Sequence, residues 1–273
     1  MRLMISIPHI YPCVTINTSI PWVIDYFFDC SSPFCTYGLS ETSVDTIEFS
    51  IVYHNKMYYI AIKDQLVKYP EHRFMLFLSQ LPHLVFKPHD KFVLLHGGAL
   101  SINKKGVLLL GKSMAGKTTI TAFLTKHHFI YYTDDLIILD YSHGLVFPFP
   151  RPLHIRVDSL NLLSDIYDIN IPFRETTYET FLKRYLYFPD AVAEKECSIS
   201  AIFQLNRQDN KKASCVQYSQ EEAINIILEN IYSIATPASS IKAAYILSDR
   251  IPTYCLTYNN LGDAKEHISL IVS

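Results

Sequence analysis

Residues 107–119 read VLLLGKSMAGKTT, and this segment constrains the fold of the chain more than any other. Its four leading apolar residues predict a short buried strand that ends where Gly111 opens a loop, and the ITAFL that follows predicts a helix. The loop matches G-x-x-x-x-G-K-T in the strand, loop and helix context that a phosphate-binding P-loop requires. We call residues 111–118 the P-loop motif.

The residue types in the P-loop motif suit a polyphosphate. Glycines let the backbone curl so that successive N–H groups point at a phosphate, and the helix N-terminus adds its positive dipole end. Lys117 is expected to reach the outer phosphates, and the Thr118 hydroxyl can ligate Mg²⁺. The chain has only 8 glycines in 273 residues, yet two stand at the required spacing, which disfavours a chance glycine turn. The predicted nucleotide contacts are Gly111, Ser113, Ala115, Gly116, Lys117, Thr118 and Thr119.

Composition narrows the class of protein. With 49% apolar residues the chain can bury a substantial core, and a net charge of -2 predicts neither a nucleic-acid partner nor a membrane partner. The first nine residues are interrupted too early by Pro8 for a signal peptide, and no apolar run approaches the roughly 20 residues of a membrane span. Six cysteines without a C-x-x-C pair favour free thiols. We expect a cytoplasmic protein.

The chain divides into two predicted regions. Residues 1–89 are β-rich and include a hairpin of strands 47–53 and 57–62, with a helix expected at 71–81; this region could dock a substrate. Residues 90–273 hold the P-loop motif and predict an α/β domain. Within it, residues 92–102 indicate one buried strand, and residues 158–196 indicate helices and loops. Ser219 and Glu222 form a capping box that starts a helix.

Thr133-Asp134-Asp135 is a polar break between predicted strands 129–132 and 136–139. A surface turn would also accept two aspartates. The flanking residues are apolar and aromatic, however, so the carboxylates are expected to be partly buried, where they need Mg²⁺, Lys or His as a partner. Beside a phosphate site, these acids have an obvious metal role.

Three further residues are candidates. His96, in LLHGGALS, could orient or tune an acid, although a hydrogen-bonded core histidine is equally compatible with its position. Arg151 and Arg156 lie in the proline-stiffened segment 147–156 and could clamp phosphate or an acidic substrate end, because guanidinium forks suit phosphate. Two solvated cations on a loop remain the alternative.

Residues 95–102, the P-loop motif and Thr133-Asp134-Asp135 together resemble the HPr kinase/phosphorylase family. They are most similar to its C-terminal kinase domain and to related kinases of ribosomal peptide natural-product biosynthesis, of the lasso-peptide type. The resemblance covers residues 90–160 well and residues 1–70 hardly at all. It implies an α/β core related to ATP-dependent phosphoenolpyruvate carboxykinase. The family more often has glycine where this chain has Met114. A methionine at this position restricts the backbone conformations of the loop more than a glycine would.

The resemblance also implies roles for the acidic residues and the histidine. Asp134 would be the catalytic base, Asp135 would lie near the metal with Thr118, and His96 would lie beside the base. The expected activity is ATP- and Mg²⁺-dependent transfer of a phosphoryl group to a hydroxyl of a peptide or protein, with a serine of a natural-product precursor as the favoured acceptor. Two alternatives stay open: a nucleotide-binding regulator without transfer, and a small-molecule kinase. A homo-oligomer is compatible with the sequence.

Overall fold

The computed structural model describes residues 2–5, 13–20, 23, 35–37, 46–62, 65–70, 73–74, 92–166, 173–175, 184–233 and 236–272. The chain is a mixed α/β protein with several sheets. It divides into two compact units: Met1–Lys87 joined by Phe173–Phe188, and Pro88–Pro172 joined by Pro189–Ser273. Residues 173–188 therefore group with the first unit, although they lie far along the sequence.

The described elements, in chain order, begin with the strands. They are β1 Arg2–Ile5, β2 Cys13–Thr18, β3 Cys35–Tyr37, β4 Thr46–His54, β5 Met57–Ile62, β6 Gln65–Pro70, β7 Phe92–Leu95, β8 Gly98–Ile102, β9 Lys105–Leu110, β10 Ile130–Thr133, β11 Ile137–Asp140, β12 Leu145–Phe147, β13 Leu153–Arg156, β14 Phe173–Glu175, β15 Arg184–Tyr187, β16 Cys197–Arg207, β17 Ser214–Gln217, β18 Ile231–Ser233 and β19 Thr253–Tyr258. The helices are α1 Lys117–Thr125, α2 Val157–Asn161, α3 Gln220–Asn230, α4 Pro237–Arg250 and α5 Leu261–Val272, with a π-helical turn at Leu162–Ile166.

The first unit contains a six-stranded sheet in the order β3-β1-β2-β4-β5-β6. The predicted hairpin is confirmed: β4 and β5 pair antiparallel, and Asn55 and Lys56 form the turn with positive φ angles of 49° and 59°. Alternate residues of these strands are buried, and the Tyr58 ring stacks on Phe74 at 3.6 Å between centroids. A half-buried strand alternates in this way because successive side chains point to opposite faces.

The second unit is built on a sheet in the order β10-β8-β9-β16-β12-β11-β7-β18, extended by β19 and β17. Strand β16 pairs in parallel with β9 along one edge and with β19 along the other. The carboxyl ends of parallel strands meet at one edge of a sheet, which is where ligands bind in open α/β sheets. The P-loop motif directly follows β9, and Tyr258 ends β19 at the same edge.

Helices α3 and α4 pack on the sheet of this second unit. Their buried residues, which include Ile227 and Leu247, join the same core as Leu108 and Leu110 of β9. Helix α3 begins with the predicted capping box, in which Ser219 and Glu222 exchange hydrogen bonds between side chain and backbone. The buried faces of these helices therefore fix the carboxyl end of β9 from one side.

The prediction of one continuous strand over residues 92–102 is wrong. The strand breaks at His96 and Gly97 into β7 and β8, which pair with different neighbours: β7 with β11 and β18, and β8 with β9 and β10. A Cβ at Gly97 would lie 2.6 Å from the backbone oxygen of Leu109, so only glycine fits this crossing. The break places His96 outside the regular ladder.

Two other sequence predictions meet different outcomes. The expectation of helices and loops over 158–196 is wrong at β14 and β15, which form an antiparallel pair. The helix expected at 71–81 lies outside the described residues except for Arg73 and Phe74, which are helical. In the described parts of the chain, no helix is both long enough and apolar enough to cross a membrane.

Candidate functional site

The P-loop motif forms a tight turn between β9 and α1. Gly111 and Gly116 adopt positive φ angles of 148° and 89°, conformations that L-residues with side chains rarely take. Met114 also lies in the left-handed region, with φ 71°, and its side chain is 75% exposed. The turn is closed by a hydrogen bond of 3.1 Å from Ala115 N to Lys112 O. The side chain of Ser113 is exposed.

Lys117 is the first residue of α1, and its ammonium group points back over the loop. Its Nζ donates to Gly111 O at 2.7 Å and to Lys112 O at 3.1 Å. The residue is buried, and this burial lowers the pKa of Lys117, while the nearby carboxylates of Asp134 and Asp135 oppose the shift. The structure therefore brings a desolvated cation and two acids together at the mouth of the loop.

Asp134 lies next to the first turn of α1. The Thr118 hydroxyl donates to Asp134 Oδ2 at 2.8 Å, so the motif and the polar break between β10 and β11 are joined directly. Asp134 is 3% exposed. Burial, and secondarily the Asp135 charge, raise the pKa of Asp134 to about 7, against the lowering effects of the Thr118 hydrogen bond, Arg151 and Lys117.

Two buried oxygens lie against the backbone of Gly98. A Cβ at Gly98 would be 2.7 Å from Thr121 Oγ1 and 3.5 Å from Asp134 Oδ1, so the missing side chain lets both approach β8. Neither oxygen has a hydrogen-bond partner among the described residues. A buried carboxylate oxygen without a partner is costly in an inert core and is typical of a functional site.

His96 and Asp135 are linked through a backbone group. His96 Nδ1 lies 3.1 Å from Asp135 O, and because a carbonyl only accepts, Nδ1 carries the proton and Nε2 keeps its lone pair. Burial and the Lys117 charge lower the pKa of His96, so the ring is neutral near pH 7. Asp135 adopts a positive φ of 68°, a left-handed conformation that is uncommon for residues other than glycine.

The two predicted arginines have different surroundings. Arg151 is buried, its backbone oxygen accepts from Tyr131 Oη at 2.7 Å, and its charge acts on both Asp134 and His96. The Arg156 guanidinium contacts the Met114 thioether at the tip of the loop. A thioether is a weak acceptor, so this contact uses little of the donor capacity of Arg156.

Thr119, the last residue of the predicted nucleotide-contact set, faces α2. Its hydroxyl donates to Ser159 Oγ at 2.9 Å. Arg156 therefore contacts the P-loop motif at Met114, and Ser159, from the same short segment, contacts Thr119 directly after the motif.

Two residues that the sequence did not single out support the P-loop motif from behind. Tyr258 Oη donates to Ala115 O at 3.0 Å, and burial raises its pKa to about 12. Asn230 Oδ1 accepts from Gly111 N at 3.3 Å. The sequence gives no signal for either residue, because each reaches the loop from an element that is distant in the sequence.

The oxygen donors at this site suit magnesium. In the described parts of the chain, no three His, Cys, Asp or Glu side chains are arranged to hold a metal by themselves. Magnesium is usually held by one or two carboxylates and by substrate phosphates, so a complete protein cage is not expected. The Thr118 hydroxyl and the two acids of the polar break, Asp134 and Asp135, supply oxygen donors of that kind beside Lys117.

Comparisons with known proteins give little beyond this geometry. No family model matches the chain, and no curated protein sequence matches it. Among solved structures, the chain is similar to the HPr(Ser) kinase/phosphatase from Coxiella burnetii, with 12% sequence identity, a TM-score of 0.32, and coverage of 66% of this chain and 99% of that chain. A likeness this low carries no functional argument.

Proposed function

We propose that this protein is an ATP- and Mg²⁺-dependent phosphotransferase. The observation that carries the proposal is the Thr118–Asp134 hydrogen bond at the base of a complete P-loop motif, with Lys117 buried beside it. Phosphoryl transfer needs positioning and charge neutralisation more than covalent chemistry by the protein. The backbone N–H groups of the loop and Lys117 would neutralise and position the phosphates. The Asp134 carboxylate lies beside them, at the first turn of α1.

Different residues of the chain would bind the nucleotide phosphates, bind the metal and accept the proton. Lys117 and the N–H groups of the P-loop motif would hold the nucleotide phosphates. The Thr118 hydroxyl and Asp135 would hold Mg²⁺, which neutralises phosphate charge when it is bound. Asp134 would accept the proton of the acceptor hydroxyl, and its pKa near 7 suits a general base because proton transfer is most efficient when the pKa is near the working pH.

His96 and the arginines would orient the reacting groups. A neutral His96 with a free Nε2 lone pair can accept a hydrogen bond from the acceptor or from a protonated Asp134. Arg156, at the tip of the loop, would bind phosphate or an acidic group of the acceptor, because its guanidinium fork suits both. Arg151, which is buried, would stabilise the ionised form of Asp134.

The acceptor we favour is a serine hydroxyl of a peptide or protein, in particular a ribosomal natural-product precursor. The support for this choice is the resemblance of residues 95–102, the P-loop motif and Thr133-Asp134-Asp135 to kinases that act on such hydroxyls. The cytoplasm, where ATP is available, is the proposed location.

The test is mass spectrometry of candidate precursor peptides incubated with the protein, ATP and Mg²⁺. Wild type is expected to add the mass of one phosphate, and Asp134→Asn is expected to abolish the gain while nucleotide binding persists. Asp209→Asn, on an exposed turn, is the matched control and should behave as wild type.

Other outcomes would redirect the proposal. Nucleotide binding without phosphate gain on any peptide would favour the regulator, and phosphate gain on a small alcohol alone would favour the small-molecule kinase. Absence of nucleotide binding by wild type would contradict the proposal altogether.

A further inference from the structure

Asn230 lies at the C-terminal end of α3 and makes three hydrogen bonds, through its side-chain oxygen, its side-chain nitrogen and its backbone oxygen. It is 7% exposed. Its Oδ1 accepts from Gly111 N at 3.3 Å, its Nδ2 donates to Ile226 O at 2.8 Å, and its backbone oxygen accepts from His96 N at 2.8 Å. One buried residue therefore contacts both the first residue of the P-loop motif and the histidine.

These bonds have separate chemical origins. The bond to His96 comes from the Asn230 backbone and occupies one of the carbonyls that a helix leaves unsatisfied at its C-terminus. The bond to Gly111 comes from the side chain, and so depends on the residue type. A helix of ordinary composition could supply the first bond, but only a short side chain with an acceptor oxygen could supply the second.

Gly111 is also the residue that Lys117 contacts. Lys117 Nζ donates to Gly111 O, so the two sides of this residue are held by the phosphate-binding lysine and by Asn230. A shift of Gly111 would change the reach of Lys117. Through Asn230, the same shift would change the position of the His96 backbone.

We infer that Asn230 is a positioning residue that fixes the start of the P-loop motif and His96 relative to each other. A displacement of the loop on nucleotide binding then also displaces His96. The inference rests on the proposed function, because it assumes that the loop binds a nucleotide. A purely structural role for Asn230 would stabilise α3 without affecting nucleotide affinity or His96.

Two substitutions separate these roles. Asn230→Asp keeps an acceptor oxygen for Gly111 N and loses the donor to Ile226 O. Asn230→Leu has similar size and loses both. Both variants lose the donor to Ile226 O, and they differ in the acceptor for Gly111 N and in the negative charge that Asn230→Asp adds when it is ionised. The stability of each, measured by urea unfolding, shows whether it is folded.

The experiment measures affinity for the non-hydrolysable analogue AMP-PNP with Mg²⁺, together with the NMR signals of the His96 imidazole. In wild type, the analogue is expected to shift the His96 signals. Asn230→Leu is expected to bind the analogue about fivefold more weakly, the size expected for loss of one hydrogen bond, and to lose most of the His96 shift. Asn230→Asp keeps the acceptor oxygen and is expected to retain the His96 shift, which makes this shift the readout that distinguishes the two variants.

Three results would contradict the inference. If both variants bind the analogue and shift His96 as wild type does, Asn230 does not position the site. If both variants lose the His96 shift to the same degree, the acceptor oxygen is not the relevant group. Failure of wild type to bind AMP-PNP would contradict the proposed function itself, and the inference would fall with it.

Discussion

The hydroxyl of Thr118 donates a hydrogen bond of 2.8 Å to Oδ2 of Asp134, which joins the first turn of α1 to the polar break between β10 and β11. The two residues are 16 positions apart, and each is placed by a different strand of the same sheet. The properties of this pair can be measured without knowledge of the acceptor.

The first prediction concerns pH and Asp134. Burial raises the pKa of Asp134 to about 7 in the folded protein, whereas an aspartate in an unfolded chain titrates near 3.9. Between these values the folded state retains a proton that the unfolded state has lost, so the free energy of unfolding falls as pH rises from about 4 to about 7.

Asp134→Asn removes this dependence. Without metal, the variant should be more stable than wild type above pH 7, by an amount on the order of 2 to 4 kcal/mol, and equal to it near pH 4. Urea unfolding at pH 4, 6 and 8 in EDTA measures the difference, with Asp209→Asn as the exposed control. A constant difference at all three pH values would show that Asp134 does not titrate in this range.

The second prediction concerns Lys117. Lys117→Ala should weaken ATP binding by about 10- to 100-fold, because a hydrogen bond to a charged group is worth about 1.5 to 3 kcal/mol. Lys112, in the same loop, has an exposed side chain and provides the control: Lys112→Ala should change affinity little. Isothermal titration with ATP and Mg²⁺ measures both. Equal losses in the two variants would indicate nonspecific attraction of the nucleotide to positive charge.

The third prediction concerns the left-handed backbone of Met114. At φ 71° a side chain costs about 1 to 2 kcal/mol, which glycine avoids, while the extra freedom of glycine in the unfolded chain costs about 0.5 to 1 kcal/mol. Met114→Gly should therefore be at least as stable as wild type. Met114→Ala keeps a Cβ at the same backbone angle, so it should gain nothing in urea unfolding. If the alanine variant matches the glycine variant, backbone strain at this position is absent.

The fourth prediction concerns the buried hydroxyl of Tyr258. Tyr258→Phe removes the bond to Ala115 O and should cost about 1 kcal/mol of stability, together with a few-fold loss of ATP affinity as the loop loosens. Tyr254 lies in β19 like Tyr258, but its ring stacks on Phe203 of β16, so it is the matched control. Its change to phenylalanine should leave ATP affinity unchanged. Loss of stability without loss of affinity in Tyr258→Phe would limit Tyr258 to a role in folding.

The fifth prediction concerns Arg156. Arg156→Gln should weaken binding of ATP and of inorganic tripolyphosphate alike, by about 10-fold, because the guanidinium lies at the tip of the loop and contacts a weak acceptor there. Arg207→Gln, which removes an arginine that lies 3.9 Å from Asp209, controls for net charge. Unchanged binding of both ligands with a raised KM for a peptide would assign Arg156 to the acceptor instead.

Local features of the site could be predicted from sequence. The strand, loop and helix around Lys117 follow from a short apolar run and glycine spacing, and the break at Asp134 follows from two acids between apolar runs. Both are encoded within about a dozen residues, the range over which periodicity and turn chemistry act.

Features that depend on residues distant in the sequence could not be predicted. The division of residues 92–102 into β7 and β8 depends on the close approach of Gly97 to Leu109, which an apolar run does not reveal. The roles of Asn230 and Tyr258 depend on which ends of α3 and β19 reach the loop. Strands β14 and β15 depend on pairing with each other rather than on a clear alternation of side chains.

The crossing at Gly97 separates two kinds of constraint on neighbouring residues. Any side chain at position 97 would collide with the Leu109 backbone oxygen and with the side chains of Leu110 and Ile137, whereas the half-buried His96 ring makes its bond through a carbonyl at the site. In a library selected only for folded protein, position 97 should stay glycine while position 96 drifts. A library selected for activity should retain both residues. Comparison of the two selections at these adjacent positions would therefore distinguish the residue required for folding from the residue required for activity.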